Sequence, residues 1–486
     1  MQGKRKYCLG LLLALACYCF GFTQMPTSSD STIANSTIDT IPAGSNSQQT
    51  VQFTVRNIVI EGNKKTRPEI ILREIPFKSG DNYILQELVK KFEIGRQQLM
   101  NTTLFHEVVI SLKSFDGYNV DVLVQVRERW YIFPVPYFKP VDRNLNQWLI
   151  EQKASINRVN YGAKLLYNNV TGRNDKLRTW LIDGYTKQIQ FSYDRLYIDK
   201  RMNWGFNLAF AMGKNKEVNY NTINDKQAFL KEDDYLRNFV NVTTELTYRK
   251  AIKTRHRFGI TYTKEVISDT IVKLNPVYFP ASQKKISFPE LYYKMTYYDL
   301  DYIPYPSKGY AAEVFFSKKG FDKNINVWQL SANGTGVWHT GKKTFFTLIG
   351  YGAIKLPFKQ PYVTQHMLGY SDVFMQGYEY YVVDGVVAGY LKASLTRKLF
   401  GFNIKLPAFK RFAAQRIPFT FYGKIYGNTG YVYNPQPGDN ALSNKMLYST
   451  GIGLDVLTFY DFVLKLEWSF NQLGQNGLFL HRKSIF

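Results

Sequence analysis

The side chains that most often carry out chemistry are few in this 486-residue sequence and lie far apart. The five histidines are His106, His256, His339, His366 and His481. No two of them are close enough in sequence to suggest a pair of metal ligands. The three cysteines are Cys8, Cys17 and Cys19. Because all three lie near the N-terminus, the rest of the chain has no thiolate metal site and no disulfide framework.

The acidic residues and the nucleophiles give no stronger indication of catalysis. Asp194 and Glu245 are candidates for an acid/base pair, but each lies in a segment of alternating polar and apolar residues. A solvated or lysine-paired carboxylate is the ordinary role there. No G-x-S-x-G elbow or phosphate-binding loop occurs. The sequence therefore predicts neither an enzyme nor a cofactor or metal site, and the function depends on the larger elements.

The charge of the chain is large but dispersed. There are 62 Lys and Arg residues against 38 Asp and Glu, a formal charge of +24. Nucleic-acid binding requires such cations to cluster on one module, whereas here they are scattered singly among Tyr, Phe, Asn and Thr. Residues 130–486 hold most of the excess, with 47 basic and 26 acidic residues. This segment therefore suits lipid phosphates or acidic polypeptides as partners.

The N-terminus has the pattern of a targeting signal. Basic residues at positions 4–6 precede an apolar stretch over 9–22, and no run of 18 or more apolar residues follows, which excludes a helical membrane protein. We predict a secretory signal peptide over residues 1–24, with a signal anchor or a lipoprotein signal acylated at Cys17 as alternatives. Residues 25–50 are rich in Ser, Thr and Asn without an apolar period, which predicts a disordered linker.

Residues 51–129 contain segments with the two-residue period of a strand and segments with the period of a helix. Residues 55–60 alternate as in a strand and are followed by a turn sequence. A helix is predicted next, with Thr66 as its N-cap and a proline in its first turn. Apolar residues then recur at helical spacing over 84–99, which predicts a second helix with one apolar face. Two further strands, over 108–112 and 120–126, close an α+β unit.

From residue 130 to 486 a period of two replaces the helical period. In one such run, Ile189, Phe191 and Tyr193 occupy one face while Gln188, Gln190 and Ser192 occupy the other. An exported chain with such strands is typical of a transmembrane antiparallel β-barrel, because closure satisfies the backbone groups that lipid cannot. A soluble sandwich or propeller is the alternative, but it would need two packed apolar layers. About 16 strands leave roughly 22 residues per strand and connection, and 12 or 14 strands also fit.

The N-terminal unit resembles a POTRA domain. The resemblance rests on the order strand, helix, helix, strand, strand and on the residues that punctuate it. These residues are Ile60, Gly62, Asn63, Thr66, Gly80, Leu104 and Phe105. The resemblance implies a periplasmic domain that offers a sheet edge to an extended polypeptide, so that main-chain groups rather than side chains make the recognition. An unrelated small α+β domain is the alternative.

A second resemblance, within the barrel segment, is to the BamA/TamA surface-antigen superfamily. Residues 299–309 predict a periplasmic turn, marked by Asp299, Asp301, Pro306 and Gly309. In that superfamily a V-R-G-F/Y sequence lies at the tip of a long loop folded back into the barrel, and its Arg pairs with an Asp on a lumen-facing strand. The corresponding residues here are Met375, Gln376, Gly377 and Tyr378 in the loop, and Asn428 and Gly430 on the strand.

The charged positions of that motif are neutral in this chain. Gln376 stands where the family has Arg, Asn428 where it has Asp, and Thr396 where a following strand has Glu. A buried charge without a partner is costly, whereas two amides can hydrogen-bond to each other. We therefore predict that the loop docks through a neutral Gln376–Asn428 pair, so that Gln376→Arg is tolerated better with Asn428→Asp than alone. An ordinary glycine turn at this position is the alternative.

Together the resemblances imply a factor for assembly, insertion or translocation of proteins at the outer membrane. The periplasmic domain would capture client strands, and the first and last barrel strands, near residues 131–138 and 478–486, would part to template insertion. The last strand ends at Phe486, although Arg482 and Lys483 make it a poor barrel-assembly signal. The implied partners are unfolded outer-membrane or secreted clients, the lipid bilayer, lipopolysaccharide and accessory lipoproteins, with no nucleic acid.

Two other functions stay open from the sequence. A pore that secretes a dedicated partner, as in two-partner systems, would usually carry two POTRA domains. A structural porin or surface antigen would use its periplasmic domain only as an anchor. Crosslinking of nascent barrels to residues 55–61 or 120–126 would favour assembly, and pore conductance with a freely mobile loop would favour a porin.

Overall fold

The computed structural model describes residues 51–140, 153, 159–405 and 416–483. The predicted signal peptide (1–24), the predicted linker (25–50) and the C-terminal Phe486 lie outside these residues. In the described ranges, no helix combines the length and the apolar character needed to cross a membrane.

The N-terminal domain is a four-stranded sheet with two helices. Its strands are β1 (Gln52–Glu61), β2 (Asn82–Ile84), β3 (Phe105–Asp116) and β4 (Asn119–Glu128), and its helices are α1 (Pro68–Glu74) and α2 (Leu85–Asn101). The sheet order is β2-β1-β4-β3, with β1 parallel to β4 and the other pairs antiparallel. The predicted order of elements is therefore found, with the short β2 added between the helices. β3 is an edge strand and β4 an interior one.

Helix α2 packs on the sheet through the apolar face that its spacing predicts. Leu88 and Leu99 are fully buried and share one apolar core with Val122 of β4. At the end of β1 the chain turns at Gly62, whose φ is +88°. A Cβ on this residue would lie 2.0 Å from the carbonyl oxygen of Val126, so only glycine fits the close approach of the two strands.

Thr66 does not cap α1, contrary to the prediction. The residue before the helix is Arg67, and no side chain caps the helix N-terminus. The Thr66 hydroxyl instead lies 3.1 Å from the Tyr131 hydroxyl and accepts a hydrogen bond from Asn169 Nδ2 at 2.9 Å. Because Tyr131 and Asn169 flank the first strands of the large sheet, Thr66 joins the two parts of the chain.

The rest of the described chain is built mainly from strands. In chain order they are β5 (Ile132–Pro140), β6 (Val159–Asn168), β7 (Lys176–Gly184), β8 (Thr186–Arg195), β9 (Trp204–Asn215), β10 (Glu217–Ile223), β11 (Lys226–Lys231), β12 (Arg237–Tyr248), β13 (Thr254–Ile267), β14 (Lys285–Leu300), β15 (Gly309–Lys319), β16 (Val327–Gly341), β17 (Thr344–Leu356), β18 (His366–Leu368), β19 (Val383–Asp384), β20 (Val387–Lys405), β21 (Arg416–Tyr433), β22 (Met446–Leu457), β23 (Val463–Asn471) and β24 (Asn476–Lys483). A short helix, α3 (Asp269–Leu274), follows β13.

Sixteen of these strands form one antiparallel sheet, which confirms the predicted fold class and strand number. Each strand pairs with its neighbours along the chain, while β10–β11 and β18–β19 form two separate hairpin ladders. The two-residue period places apolar side chains such as Ile189, which is 49 % exposed, on the outer surface. A soluble protein would bury them, so this surface is the one expected to face lipid.

The connections between strands lie alternately at the two ends of the sheet. We call the end that contacts the N-terminal domain the proximal end, and the opposite end the distal end. The proximal connections described are 169–175, 196–203, 249–253, 301–308, 342–343 and 458–462. The distal end carries the β10–β11 hairpin, α3 and the long loop 357–386. Within the described strands no ladder joins β5 to β24, which stand at the two ends of the sheet order.

The pair β20–β21 extends beyond its neighbours at the proximal end. β17 pairs with β20 only as far as Arg397, yet β20 continues to Lys405. On the outer face of this extension, Phe400 stacks on Phe421, and Phe402 stacks on Phe419 across the two strands. The opposite face, with Asn403 and Thr420, borders a cavity of about 740 Å³ that reaches the N-terminal domain.

Candidate functional site: a charged lumen joined to the N-terminal domain

The distal loop 357–386 folds back into the barrel. Met375 and Tyr378 at its tip are buried, and the Tyr378 hydroxyl donates to the carbonyl of Tyr448 on β22 at 3.1 Å. Asn471, the last residue of β23, donates through Nδ2 to the carbonyl of Gly377 at 2.7 Å. A Cβ on Gly377 would lie 3.0 Å from the Ser449 Cβ, and φ here is +89°. A glycine at the tip therefore lets the loop approach the wall closely.

The predicted strand residue Gly430 receives this loop. A Cβ on Gly430 would lie 2.5 Å from the sulfur of Met375, so the absence of a side chain on β21 leaves room for the loop. The structure thus brings together Met375, Gly377 and Tyr378 with Gly430, as the resemblance implied for their positions.

The predicted hydrogen bond between Gln376 and Asn428 is wrong. Gln376 Nε2 donates to Glu467 Oε1 on β23 at 3.2 Å, whereas Asn428 Nδ2 donates to the Ser449 hydroxyl at 3.0 Å. The amide oxygens of both Gln376 and Asn428 are buried without a hydrogen-bond partner among the residues described. The prediction failed because it assumed that the family's charged pair had been replaced by a neutral one, whereas this loop meets a carboxylate on another strand.

The lumen beside the loop contains a buried cluster of three charged side chains that the sequence analysis did not predict. We call Lys424, Asp455 and Glu467 the central charge cluster. Lys424 Nζ lies 2.7 Å from Asp455 Oδ1 and 2.6 Å from Glu467 Oε1, and the Glu467 side chain is 1 % exposed. The three residues come from the consecutive strands β21, β22 and β23. The sequence did contain a sign of this cluster. Each of the three strands alternates polar and apolar residues, and each has a charged residue at a position that faces inward.

The last strand and the loop also meet this cluster. His481 Nε2 on β24 lies 3.2 Å from Glu379 Oε1 of the loop and 3.4 Å from Glu467 Oε2. Thr396, predicted as a member of the loop-docking set, is buried on β20 directly opposite Lys424 in the ladder. It therefore lies beside the central charge cluster, and its hydroxyl does not touch Gln376 or Asn428 in any hydrogen bond between described residues.

The predicted turn 299–309 lies at the proximal end and is ordered by Asp301. Asp301 Oδ1 accepts from the backbone N–H groups of Tyr302, Ser307 and Lys308, at 2.9, 3.0 and 3.1 Å. Gly309 follows with φ +113°, and a Cβ there would lie 2.0 Å from the carbonyl oxygen of Asp299. Pro306 lies between these residues in the same turn. These contacts explain why the turn contains Asp301 and Gly309.

Two tyrosines of this turn bind acidic residues of the barrel. The Tyr305 hydroxyl donates to Asp455 Oδ2 of the central charge cluster at 2.9 Å. The Tyr302 hydroxyl donates to Asp461 in the turn between β22 and β23. Helix α2 of the N-terminal domain contacts the turn through its last residue. Asn101 donates to the Leu300 carbonyl at 3.1 Å and accepts from the Ile303 N–H at 2.9 Å. A continuous set of contacts thus runs from the N-terminal domain to the distal loop.

The N-terminal domain docks on the proximal end through a buried ion pair. Glu74 of α1 accepts from Arg249 Nη2 at 2.8 Å, and the Tyr197 hydroxyl lies 3.2 Å from Glu74 Oε1. Burial by itself raises the pKa of Glu74, but the ion pair and hydrogen bond with Arg249 outweigh it and hold that pKa below its ordinary value. Glu74 therefore stays ionised in the docked domain at neutral pH.

A second ion pair fixes the domain beneath the turn after β22. Arg129 Nη1 lies 2.5 Å from Asp461 Oδ2, and both side chains are buried. Beside them His106 stacks on Phe459 with 5.2 Å between ring centroids. Burial, with repulsion from Arg129 and Arg127, lowers the pKa of His106 to about 4. His106 is therefore neutral in this interface.

The other predicted domain residues are spread through the fold. Ile60 and Leu104 pack in the domain core, with Phe105 fully buried at the start of β3. Asn63 Nδ2 donates to the Thr66 carbonyl at 3.1 Å. Gly80 has φ +92° in the turn before β2. These residues stabilise the turns and the core of the domain, and the Leu104 carbonyl also accepts from the Tyr131 hydroxyl at 3.2 Å.

This combination of a small α/β domain and a 16-stranded sheet with a loop in its lumen defines a class of outer-membrane barrel. Residues 53–129 match the POTRA family, described as surface antigen variable number repeat, and residues 169–459 match the Omp85 superfamily domain. The chain belongs to the Omp85 superfamily. It is therefore located in the outer membrane with its N-terminal domain in the periplasm, so the proximal end is periplasmic and the distal end faces outward.

Individual relatives are more distant. The outer membrane protein assembly factor BamA of Neorickettsia risticii (strain Illinois) is 26 % identical over 193 residues, which cover 33 % of this chain and 25 % of that protein. BamA of Haemophilus ducreyi lacking POTRA domains 1–3 is 14 % identical with a TM-score of 0.49, over 88 % of this chain and 83 % of that one. CdiB of Escherichia coli is 10 % identical with a TM-score of 0.47, over 91 % of each chain.

Proposed function

We propose that this protein inserts client polypeptides into the outer membrane. In this proposal the periplasmic domain captures client strands, and the seam, the junction between the first and last barrel strands, templates their insertion. Omp85 proteins act in outer-membrane insertion and translocation in general, and insertion is the finer assignment that we favour. In this proposal residues 1–24 direct export, 25–50 form a linker, 51–129 capture clients and 130–486 form the barrel. Lipopolysaccharide and accessory lipoproteins are partners of the proposed activity, beside the clients and the bilayer.

The unpartnered edge of β3 is the observation that carries this proposal. β3 pairs only with β4 among the described strands, and Val109 in its middle is exposed. An extended client can pair its main-chain N–H and C=O groups with such an edge, independently of its side-chain sequence. β4 is paired on both sides, so residues 120–126 are less suitable for client contact than the sequence alone suggested.

The terminal strands of the barrel support the second half of the proposal. β5 and β24 stand at the two ends of the sheet order, where a client hairpin would add, and lipid supplies no hydrogen bonds that would compete. The lumen, by contrast, is occupied by loop 357–386 from the distal end and by Tyr305 from the proximal end. A loop and a turn that both dock inside the lumen support insertion between the first and last strands over free diffusion through a passive pore.

Photo-crosslinking in living cells tests the proposal at the β3 edge. A photoreactive amino acid at Val109 is compared with one at Gln125, the residue directly opposite on the interior strand β4. Both side chains are exposed on the same face, so they differ mainly in the open strand edge. We expect Val109 to capture nascent outer-membrane barrels and Gln125 to capture far fewer.

The captured species decide among the functions. Nascent barrels at Val109 support insertion, a single secreted polypeptide supports a two-partner secretion pore, and no client at either position supports a structural porin or surface antigen. Depletion of the protein provides an independent test. Insertion is rejected if depletion changes neither the outer-membrane proteome nor any surface-exposed or secreted client.

A further inference from the structure

A groove lies on the lipid-facing surface of the barrel near its distal end. It has a volume of about 740 Å³ and crosses β6 to β9, continuing over β12 and β13. No residue of the docked domain or of the central charge cluster lines it. Most of its side chains lie on the lipid-facing side of the barrel wall, opposite the central charge cluster, and they combine an apolar floor with three lysines.

Four apolar side chains form the floor of the groove. Leu181, Ile189, Met212 and Val240 are successive cross-strand partners on four adjacent strands. The first three are exposed large apolar side chains. Four adjacent strands span roughly 14 Å at a spacing of about 4.8 Å. This row is a continuous apolar platform for acyl chains.

Two of the three lysines border the distal side of the floor. Lys187 and Lys214 lie directly opposite each other on β8 and β9. Like charges in this position destabilise a sheet unless an anion lies between or beside them. Only Lys187 has an acidic neighbour within the described groove lining, Asp183 at 3.5 Å. Lys214 Nζ lies 5.7 Å from the centre of the Tyr235 ring.

The third lysine, Lys264, projects from the apolar row itself. It is the cross-strand partner of Val240 on β13, and no acidic group pairs with it in the part of the chain that the structure describes. Lysine on the lipid face of a barrel is tolerated near the interface and increasingly costly toward the membrane centre. Lys264 and Lys214 are two strands apart, roughly 10 Å, so the groove has two separate cationic points.

From this arrangement we infer that the groove binds a bisphosphorylated acyl glycolipid of the outer leaflet, of the lipid A type. One phosphate lies between Lys187 and Lys214, the other meets Lys264, and the acyl chains pack on the row from Leu181 to Val240. Asn238, opposite Lys214 on β12, offers an amide to the sugar hydroxyls between the phosphates. The distal position of the groove favours this lipid over a periplasmic phospholipid.

Binding to the intact chain tests the inference without any variant. The folded protein is purified in detergent and titrated by native mass spectrometry with bisphosphorylated lipid A, with monophosphoryl lipid A and with phosphatidylglycerol. The expected order of affinity is lipid A, then the monophosphoryl form, then phosphatidylglycerol, with about tenfold between the first and the second because one charge-assisted contact is lost. Equal affinity for lipid A and phosphatidylglycerol overturns the inference, since it would show only a general anionic annulus.

Substitution locates the site. Lys214→Gln with Lys264→Gln removes one of the two lysines at the first phosphate position and the lysine at the second, and is expected to weaken lipid A binding about tenfold or more. Lys323→Gln, at an exposed lysine in the distal connection between β15 and β16, is the matched control and should leave binding unchanged. Val240→Trp fills the floor while all three lysines remain, and should also weaken binding. Wild-type affinity in both groove variants, with heat-modifiable migration intact, rejects this location.

Discussion

Gln376 at the tip of the inserted loop donates to Glu467 on β23, with 3.2 Å between Nε2 and Oε1. Glu467 is also bound by Lys424 and lies 3.4 Å from His481 of the last strand. The same carboxylate therefore contacts the outward-facing loop and the strand that forms one side of the seam. Through Asp455 and Tyr305 the set of contacts continues to the periplasmic turn. Loop position, seam and periplasmic domain are thus linked by one buried group of charges.

Removing the cation of the central charge cluster should destabilise the barrel strongly. Lys424→Met removes the ammonium group that pairs with both Asp455 and Glu467, and breaking a buried pair in this way costs about 3–5 kcal/mol. The free energy of unfolding in urea, measured in lipid vesicles, checks the change. The control combines Lys424→Met with Asp455→Asn and Glu467→Gln, and should recover most of the loss because no charge remains unpaired. Wild-type stability of the single variant would contradict an ionic cluster.

Substitutions at Gln376 should report on Glu467 and not on Asn428. Gln376→Glu places a further carboxylate beside Glu467 and should release the loop, which limited proteolysis of residues 357–386 detects. Gln376→Arg should keep the loop docked, because Glu467 can accept from the guanidinium. A double-mutant cycle is expected to give a coupling free energy below about 0.5 kcal/mol between positions 376 and 428, and a larger one between 376 and 467. Strong coupling to Asn428 would restore the neutral-pair interpretation.

Acid should loosen the docked periplasmic domain in two steps. The pKa of His106 is lowered to about 4 from 6.5, so its docked form favours the neutral ring. As the pH falls below 6.5, the undocked state gains protons that the docked state does not, and docking weakens until the pH reaches about 4. The pKa of Glu74 is also lowered from its ordinary 4.5, so its pairing with Arg249 contributes fully above that value and weakens as the pH falls below it.

Hydrogen exchange of β3 in the full chain, corrected for the intrinsic pH dependence, measures this loosening. We expect exchange to rise between pH 7 and pH 5 in the wild type. His106→Phe should abolish that first step while preserving the ring stacking on Phe459. Glu74→Gln is the control, since it should weaken docking already at neutral pH while the His106 step remains. An unchanged pH profile in His106→Phe would exclude His106 as the responsible group.

The last strand should contact inserting clients while the strand beside it does not. Leu480 on β24 and Leu466 on β23 are direct cross-strand partners, both facing lipid, and are 65 % and 39 % exposed. A photoreactive residue at Leu480 should therefore crosslink client barrels, and the same residue at Leu466 should crosslink mainly lipid. Equal client crosslinking at both positions would indicate that clients do not insert through the junction of the first and last barrel strands.

The order of elements followed from the sequence because local periodicity encodes it. The alternation around Ile189 indicated a lipid-facing strand, and the helical spacing from Leu88 to Leu99 indicated one apolar helix face. Gly377, Gly430 and Gly309 were also identifiable, since each is needed where two chain segments approach closely. Thr66 misled the prediction, because a residue type that commonly caps helices serves here to bind Tyr131 and Asn169.

What the sequence by itself determined was therefore the class of fold, the single N-terminal domain and the positions of turns and glycines. These depend on residues within one turn or strand of each other. Only the tertiary structure decided that Gln376 meets Glu467 rather than Asn428, and that Lys424, Asp455 and Tyr305 meet in one lumen. Such contacts join side chains 31 to 150 residues apart, and their pairing depends on strand register and on the path of a long loop, which no local pattern specifies.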